Sequence, residues 1–466
     1  MTGERERPPP WVGPHNVALL TDLYQLTMVQ AYWKEGFGED AVFSLHFRRL
    51  PTGRNHLLAC GLDDALRCLE NLRFDEAALD FIASRDEFEE GFVEWLRAFR
   101  FTGDVYAVPE GTPLFPYEPI LEVEAPIAEG QLAETVLMNQ IHLQTVLASK
   151  AARVVEAARG RRIVDFGLRR MHGLDAGLKA ARAFHIAGVD ATSNVLAGQV
   201  YGVPIAGTMA HSYIQAHDSE EEAFRRFVEL YPEATLLVDT YDTASGVRKV
   251  ARLARELGDA CRIRGVRLDS GDLEALARES RAILDAAGLG EIGIFASGGL
   301  DEYEIRRLLE EGAPLDGFGV GTSMGISADA PSADLAFKLC DYGGRGRLKL
   351  SSGKGILPGR KQVFREDADD GAGRAVRDHL VREGEVAPGR PLLRKVMERG
   401  SRLPAGREEL DALRRRAREE LDRLPEEIQG IDPASSPFPV QISRALEEEQ
   451  ASVARRAERE EVLRSE

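Results

Sequence analysis

Seven short apolar runs, each followed by a helix-forming stretch, constrain this chain more than any other feature. They are residues 163–167, 188–192, 203–207, 235–240, 265–269, 293–297 and 317–321, and their starts lie 25, 15, 32, 30, 28 and 24 residues apart. That beat is the one expected of repeated β–α units, whose parallel strands need a crossover helix between them. Runs such as Leu236-Leu237-Val238 and Ile292 to Phe295 are apolar on both faces, as strands covered on both sides must be. Seven runs suit a closed or nearly closed β/α barrel better than a small sheet, with an open doubly wound sheet as the alternative.

The chain on either side of these runs reads differently. Residues 1–16, charged, proline-rich and without an apolar stretch, read as a disordered tail and not as a secretory signal. Thr21 or Asp22 can cap a helix running through Gln25, Met28, Tyr32 and Trp33. Strands are predicted at 42–50, 103–109 and 120–125, and helices near 62–72 and 87–99. From Asp334 onward, 345–350 reads as a strand. A Gly/Lys loop follows over 352–361, then an acidic glycine-rich turn over 367–374. Residues 408–424 and 444–466 read as charged helices with a solvated face.

At 466 residues the chain is too long for one small core, so two domains or an elaborated barrel are expected. Its formal net charge of −17 argues against coating nucleic acid or an anionic membrane, yet leaves room for a local phosphate pocket. No apolar run reaches the ~18 residues a membrane helix needs. Cys60, Cys68, Cys261 and Cys340 form no CxxC pair, so neither a disulfide scaffold nor a structural zinc site is expected, and a reducing cytoplasm is.

In a β/α barrel the reactive groups sit where strands end. The ends of these runs carry Asp165, Phe166, Arg169 and Arg170; Thr192, Ser193 and Asn194; Thr208 and His211; Asp239, Thr240 and Asp242; Arg267, Asp269 and Asp272; Ser297, Gly298 and Gly299; and Gly319, Gly321 and Thr322. Gly298-Gly299 and the alternating Gly317, Gly319, Gly321 can present N–H groups to a phosphate, or can simply be tight turns. No Walker-type GxxxxGK[ST] occurs, and Ser352-Gly-Lys-Gly fails that pattern. Arg169, Arg170 and Arg267 can hold anionic oxygens, or pair with Asp165 or Asp269. Asp239 and Asp269 can hold magnesium or a ribose diol, or hydrogen-bond the barrel backbone. His211 can carry a phosphoryl group as a nucleophile, or be structural, as His217 is expected to be. Phe166 and Tyr24 can sandwich a flat ring, or belong to the core.

Taken in order, the segments 20–28 (LTDLYQLTM), 165–170 (DFGLRR), 193–198 (SNVLAG), 207–212 (GTMAHS), 239–242 (DTYD), 265–272 (GVRLDSGD), 296–301 (ASGGLD) and 319–322 (GVGT) resemble nicotinate phosphoribosyltransferase. The resemblance runs from about Leu19 to about Arg365. It implies the type II phosphoribosyltransferase fold, an incomplete α/β barrel (161–333) beside an N-terminal β-rich α+β domain (17–160). Part of 334–400 would complete that domain, and 401–466 would form a charged helical tail. It implies the reaction of nicotinate with 5-phosphoribosyl 1-diphosphate to give nicotinate mononucleotide and diphosphate, coupled to ATP hydrolysis, the entry of nicotinate into NAD synthesis. Magnesium or manganese is implied as cofactor, at Asp239 and Asp269.

Carried over by position, His211 matches the family's phosphorylated histidine, catalytic together with Arg267 and Asp269. Thr208 and Arg267 match nicotinate contacts, and Tyr24 and Phe166 match the two aromatics that sandwich the ring. Arg169, Asp239, Gly298, Gly299, Gly321 and Thr322 match contacts to phosphoribosyl diphosphate. The tyrosine implies a homodimer with shared active sites. Lys338, Lys349 and Lys354 lie in the segment that supplies lysines to a neighbouring site. Nicotinamide phosphoribosyltransferase has a ring-pocket carboxylate where Asn194 aligns here, and the neutral Ser193-Asn194 favours nicotinate. A quinolinate enzyme would need more arginines, and an idle barrel acting as a scaffold subunit would not need His211, Arg267 and Asp269 intact.

Overall fold

The computed structural model describes residues 11–350, 357–369, 371 and 373–462. The earliest residues and Lys354 therefore lie outside the described residues. Six parallel strands form the barrel sheet: Arg162–Asp165, Ala191–Thr192, Thr235–Leu237, Gly265–Leu268, Gly293–Ser297 and Gly317–Val320. Across the sheet they stand second, first, sixth, fifth, fourth and third in the order just given, counting from the Ala191 edge to the Thr235 edge.

The run at 203–207, expected as a seventh strand, contributes only a bridge between Ile205 and Thr192. Pro204 has no N–H to donate to a further strand, and its carbonyl and the Ala206 N–H are both spent on Thr192. Nothing pairs this segment to Thr235–Leu237, so the barrel stays open along one seam. The barrel core is aliphatic, with Leu236, Val238, Val266, Leu268, Ile294 and Val320 fully buried beneath the crossover helices.

The N-terminal domain is built on a seven-stranded antiparallel sheet that draws from both parts of the chain. Asp40–Phe47 and Pro119–Pro126 lie at its centre, flanked by Leu335–Tyr342 on one side and by Asp104–Ala107 and Arg394–Glu398 on the other. The strand expected at 345–350 shrinks to Arg345–Gly346. The strands Leu335–Tyr342 and Arg394–Glu398 went unforeseen, as did Lys361–Asp367 and Ala375–Arg382 on either side of the expected acidic turn. Lys361, read in sequence as a loop residue, is buried, with its ammonium 2.9 Å from Glu122.

A 31-residue helix, Ile127–Ala157, joins the two halves. Its first turns (Leu132, Leu137, Ile141) lie in the N-terminal core, and its last turns (Leu147, Ala151, Val154) lie in the barrel core. A helix buried on most sides lacks the polar stripe that marks an amphipathic one, which is why its period is muted. Where it enters the barrel, Lys150 and Arg153 are buried and share Glu302, and Lys150 also reaches Asp329, which Arg54 grips from the other domain. Buried charges persist only when paired in this way. The C-terminal helices Leu410–Asp422 and Arg444–Ala457 expose a charged face and bury Leu413, Ala417, Leu446 and Val453.

Burial, with the Lys361 charge next in importance, pushes the His46 imidazole down to about 4. A depressed histidine pKa means that the unfolded chain binds the proton first. Stability from this group is therefore whole above about pH 6.5 and is lost as pH falls toward 4, at about 1.4 kcal/mol per pH unit. Urea unfolding of wild type and His46→Gln across this window should show the variant losing less by about that slope. Parallel curves would show that His46 is not held neutral.

Candidate active site

The barrel's strand ends converge as the sequence pattern requires. Arg267, near the end of Gly265–Leu268, donates through Nη1 to the Thr208 hydroxyl and through Nη2 to the Met209 carbonyl at 3.2 Å. Its guanidinium lies 5.7 Å from the Phe166 ring centroid, a cation–π contact that fixes both groups. Arg267 Nε is buried and has no partner. Neither Arg169 nor Arg267 pairs with Asp165. That carboxylate instead accepts from the Gly167 N–H at 2.8 Å and the Thr192 hydroxyl at 2.7 Å, and burial pushes its pKa up. Phe166, Thr208 and Arg267 thus form one corner of a cavity of about 650 Å³ inside the barrel.

Beside that corner stands an acidic and imidazole group. Asp239 accepts from the Asp269 N–H and the Ser270 hydroxyl, both at 2.9 Å and both on Oδ2. Its Oδ1 is buried and unpartnered. Asp269 Oδ1 takes the Ser297 hydroxyl, and Oδ2 lies 3.7 Å from His211 Nε2. His211 Nδ1 is 3.1 Å from the Thr240 hydroxyl, and its side chain is 39% exposed. Thr240 and Ser297 were visible as strand-end residues, but their bonds to His211 and Asp269 need the fold. His217 is structural, as expected, with Nδ1 2.8 Å from the Tyr213 carbonyl.

The glycines divide into two kinds. Gly317 and Gly319 are strand residues, not a phosphate nest. A Cβ at either would lie 2.5 Å from the ring of Phe295 or Phe166 respectively, so their bareness admits those rings to the barrel. Phe295 was legible in the sequence only as a strand residue, because its role in the cavity depends on Gly265 and Gly317 beside it. Gly298, at φ +91°, would place a Cβ 1.9 Å from the Asp269 carbonyl oxygen. Its turn therefore holds Asp269 and the Gly298-Gly299 backbone together as only glycine can. Gly298→Ala should lower stability by about 2 kcal/mol or more and kcat/KM by over about tenfold. Urea unfolding with steady-state kinetics checks this, and wild-type values in both would show that the turn does not constrain the site. Gly321 precedes the short helix Thr322–Gly325, and Thr322 accepts from Arg170 at 3.0 Å. Arg169 is exposed.

Two sequence profiles cover most of this architecture. The N-terminal domain of nicotinate phosphoribosyltransferase matches residues 19–142, and the nicotinate phosphoribosyltransferase family matches residues 161–342. The chain belongs to the nicotinate phosphoribosyltransferase family. It is 52% identical over 429 residues to nicotinate phosphoribosyltransferase pncB2 of Mycobacterium tuberculosis, spanning 92% of each chain. It is 41% identical over 358 residues to nicotinate phosphoribosyltransferase of Bacillus subtilis, over 75% of this chain and 73% of that one. Its fold superposes on human nicotinic acid phosphoribosyltransferase with a TM-score of 0.83 at 31% identity, covering 93% of this chain and 99% of the other.

Of the positions that the resemblance placed at the ring, Asn194 and Tyr24 fall outside the cavity. Asn194 does not face a ring: its side chain caps the helix Val195–Tyr201, accepting from the Ala197 N–H and donating to the Gly177 carbonyl, both at 3.1 Å. An Asn at the start of a helix is a favoured cap, and that local demand absorbs it here. Tyr24 lies on the N-terminal helix Leu23–Glu35, is 47% exposed, and does not line this chain's own cavity. Partial burial and then Glu134 push its hydroxyl up to about 12. Near it, Glu134 shares a cleft with Arg48, Lys338 and Lys349.

Proposed function

We propose that this protein transfers a phosphoribosyl group from 5-phosphoribosyl 1-diphosphate to nicotinate, giving nicotinate mononucleotide and diphosphate, with ATP hydrolysed alongside. The observation that carries the reading is the unpartnered, buried Nε of Arg267 beside the Phe166 ring. A buried donor on a cation asks for an anionic acceptor, and the aromatic face asks for a flat ring, so an aromatic carboxylate meets both. Among the described residues, the only carboxylate lining this cavity is Glu233, at the opposite end and paired with Arg264. At the ring corner itself the lining side chains Phe166, Thr208 and Arg267 carry no negative charge.

The chemistry follows from those contacts. The pyridine nitrogen attacks C1 of the ribose, the C1–O bond to diphosphate breaks, and diphosphate leaves with the electron pair. No proton is removed from the ring, so the site needs aim more than a base. Arg267 and Phe166 fix the ring, while Arg169, Arg170 and the Gly298-Gly299 and Gly321-Thr322 turns are the groups we assign to the phosphates. Asp239 and Asp269 offer hard oxygen donors, and the orphaned Asp239 Oδ1 suits a magnesium ion held by two carboxylates and substrate phosphates. Such an ion would neutralise charge on the departing diphosphate. His211, held by Thr240 with Nε2 toward Asp269, is the group we assign to phosphoryl transfer from ATP.

The same reading makes the protein a homodimer. The exposed Tyr24, near the Arg48, Lys338 and Lys349 cleft, would close the neighbouring subunit's ring site and add positive charge there. The four cysteines are unpaired, which suits a reducing cytoplasm, and among the described residues no helix is long and apolar enough to cross a membrane. Incubation with nicotinate, nicotinamide or quinolinate, each with phosphoribosyl diphosphate and with or without ATP, tests the assignment. Mass spectrometry should find nicotinate mononucleotide as the dominant product. Preference for either other ring would overturn the reading of the Arg267 corner.

A further inference from the structure

The two turns assigned to the phosphates leave neighbouring strands. Gly298-Gly299 follows Gly293–Ser297 and Gly321-Thr322 follows Gly317–Val320, and these strands pair in parallel with Ser297 beside Gly319. The ladder fixes the strands about 4.8 Å apart, but it ends before the turns begin. Each turn then runs into a segment that carries a carboxylate, and both carboxylates meet one buried lysine. Glu302 opens the helix Glu302–Glu310 just after the first turn, and Asp301 caps that helix by accepting from the Glu304 N–H at 2.9 Å. After the second turn, the helix Thr322–Gly325 ends in a loop tied back to its own start. There the Ile326 N–H donates to the Thr322 carbonyl and the Ala328 N–H to the Ser323 carbonyl, both at 3.1 Å. Ser327 in this loop is fully buried at φ +46°, a conformation that a residue with a side chain keeps only where its surroundings hold it. Asp329 follows. Lys150, on the helix Ile127–Ala157, binds Asp329 at 2.7 Å and binds Glu302 as well.

The charges in this cluster do not balance. Arg54 already holds Asp329 through two N–H groups at 2.6 and 3.2 Å, and Arg153 already holds Glu302 at 2.9 Å. Two arginines suffice for two carboxylates, so Lys150, only 1% exposed, is a surplus cation. Burying an ammonium is costly, and pairing alone gives no reason for a third cation. What Lys150 adds, and neither arginine supplies, is a link between the two carboxylates.

We propose that Lys150 is a positioning residue for phosphoribosyl diphosphate: by bridging Glu302 and Asp329 it sets the spacing of the Gly298-Gly299 and Gly321-Thr322 turns. It acts from beneath the turns and touches neither substrate. The inference rests on the phosphate assignment above and adds the device that keeps the two turns in register. Phe166, Thr208 and Arg267 stand on other segments, so the ring corner keeps its affinity when the bridge is cut.

Lys150→Met cuts the bridge while each carboxylate keeps its arginine, so the protein should fold. Calorimetry on the full-length protein should find phosphoribosyl diphosphate bound about tenfold more weakly than by wild type, while the KM for nicotinate moves by less than about twofold. Arg153→Met also removes one buried cation but leaves the bridge, and its affinity for phosphoribosyl diphosphate should stay within about twofold of wild type. Asp329→Asn weakens the bridge at its partly exposed end and should shift binding in the same direction. It carries the test if Lys150→Met does not fold. Wild-type affinity in the bridge variant overturns the proposal. So does an equal loss in Arg153→Met or an equal rise in the KM for nicotinate, either of which would make Lys150 a structural residue only. Mononucleotide formation on the same samples separates the bridge from the reaction. Turnover with unchanged binding in Lys150→Met refutes the bridge alone. Weakened binding in the variant, with no mononucleotide from wild type, refutes the proposed reaction alone. No binding of phosphoribosyl diphosphate by wild type refutes both.

Discussion

His211→Ala is expected to abolish phosphoryl labelling by ATP and magnesium and to cut substrate-dependent ATP hydrolysis by at least about a hundredfold, while a slow ATP-independent phosphoribosyl transfer survives. Diphosphate is already a good leaving group, so ATP is not needed for bond making, and the proposed coupling would have to act through the protein. A phosphohistidine beside the phosphate turns would improve binding and positioning, which raises rate without new chemistry. The geometry suits this role. The Thr240 hydroxyl at Nδ1 fixes the ring, Nε2 is the nitrogen turned toward Asp269, and the side chain remains partly exposed. The label should be acid-labile and alkali-stable, as a phosphoramidate is. Full ATP stimulation in His211→Ala, or a label on His217, would remove His211 from the coupling.

The second large effect concerns the ring site. Arg267→Ala should lower kcat/KM for nicotinate by about 3 kcal/mol, or about a hundredfold, because the substrate carboxylate loses its buried partner. Tyr24→Ala should be similarly impaired if that ring closes the neighbour's site. Mixed subunits should recover about a quarter of wild-type activity. About half of randomly mixed dimers are heterodimers, and each has one of its two sites intact. No recovery, with subunit exchange shown by mass, would refute site sharing.

The sequence carried the barrel because its signal is local. Doubly apolar runs at β–α spacing give the strands, and polar residues at their ends give Arg267, Asp239, Asp269 and His211. It failed where a residue's meaning is set by distant neighbours. The helix Ile127–Ala157 has no free face, so it has no stripe to read. Gly317 and Gly319 look like a phosphate loop until the rings of Phe295 and Phe166 are seen above them. Asn194 looks like a pocket residue until its amide is found capping a helix. Residues 203–207 have the composition of a strand, but Pro204 and the absence of a partner on the seam side leave only a bridge. The strands Lys361–Asp367 and Ala375–Arg382 alternate charged residues such as Arg365 and Asp378, which pair with each other in the interior and so disguise a buried strand as an exposed one.

The central claim is that Arg267 and Phe166 hold a carboxylated pyridine for attack on phosphoribosyl diphosphate. Its most direct test is the product balance of wild type and Arg267→Ala, side by side, at saturating phosphoribosyl diphosphate and limiting nicotinate. Wild type should release one diphosphate per nicotinate mononucleotide, and Arg267→Ala should form the same product about a hundredfold more slowly. Equal rates of mononucleotide formation by the two proteins, or diphosphate release by wild type with no mononucleotide, would contradict the account.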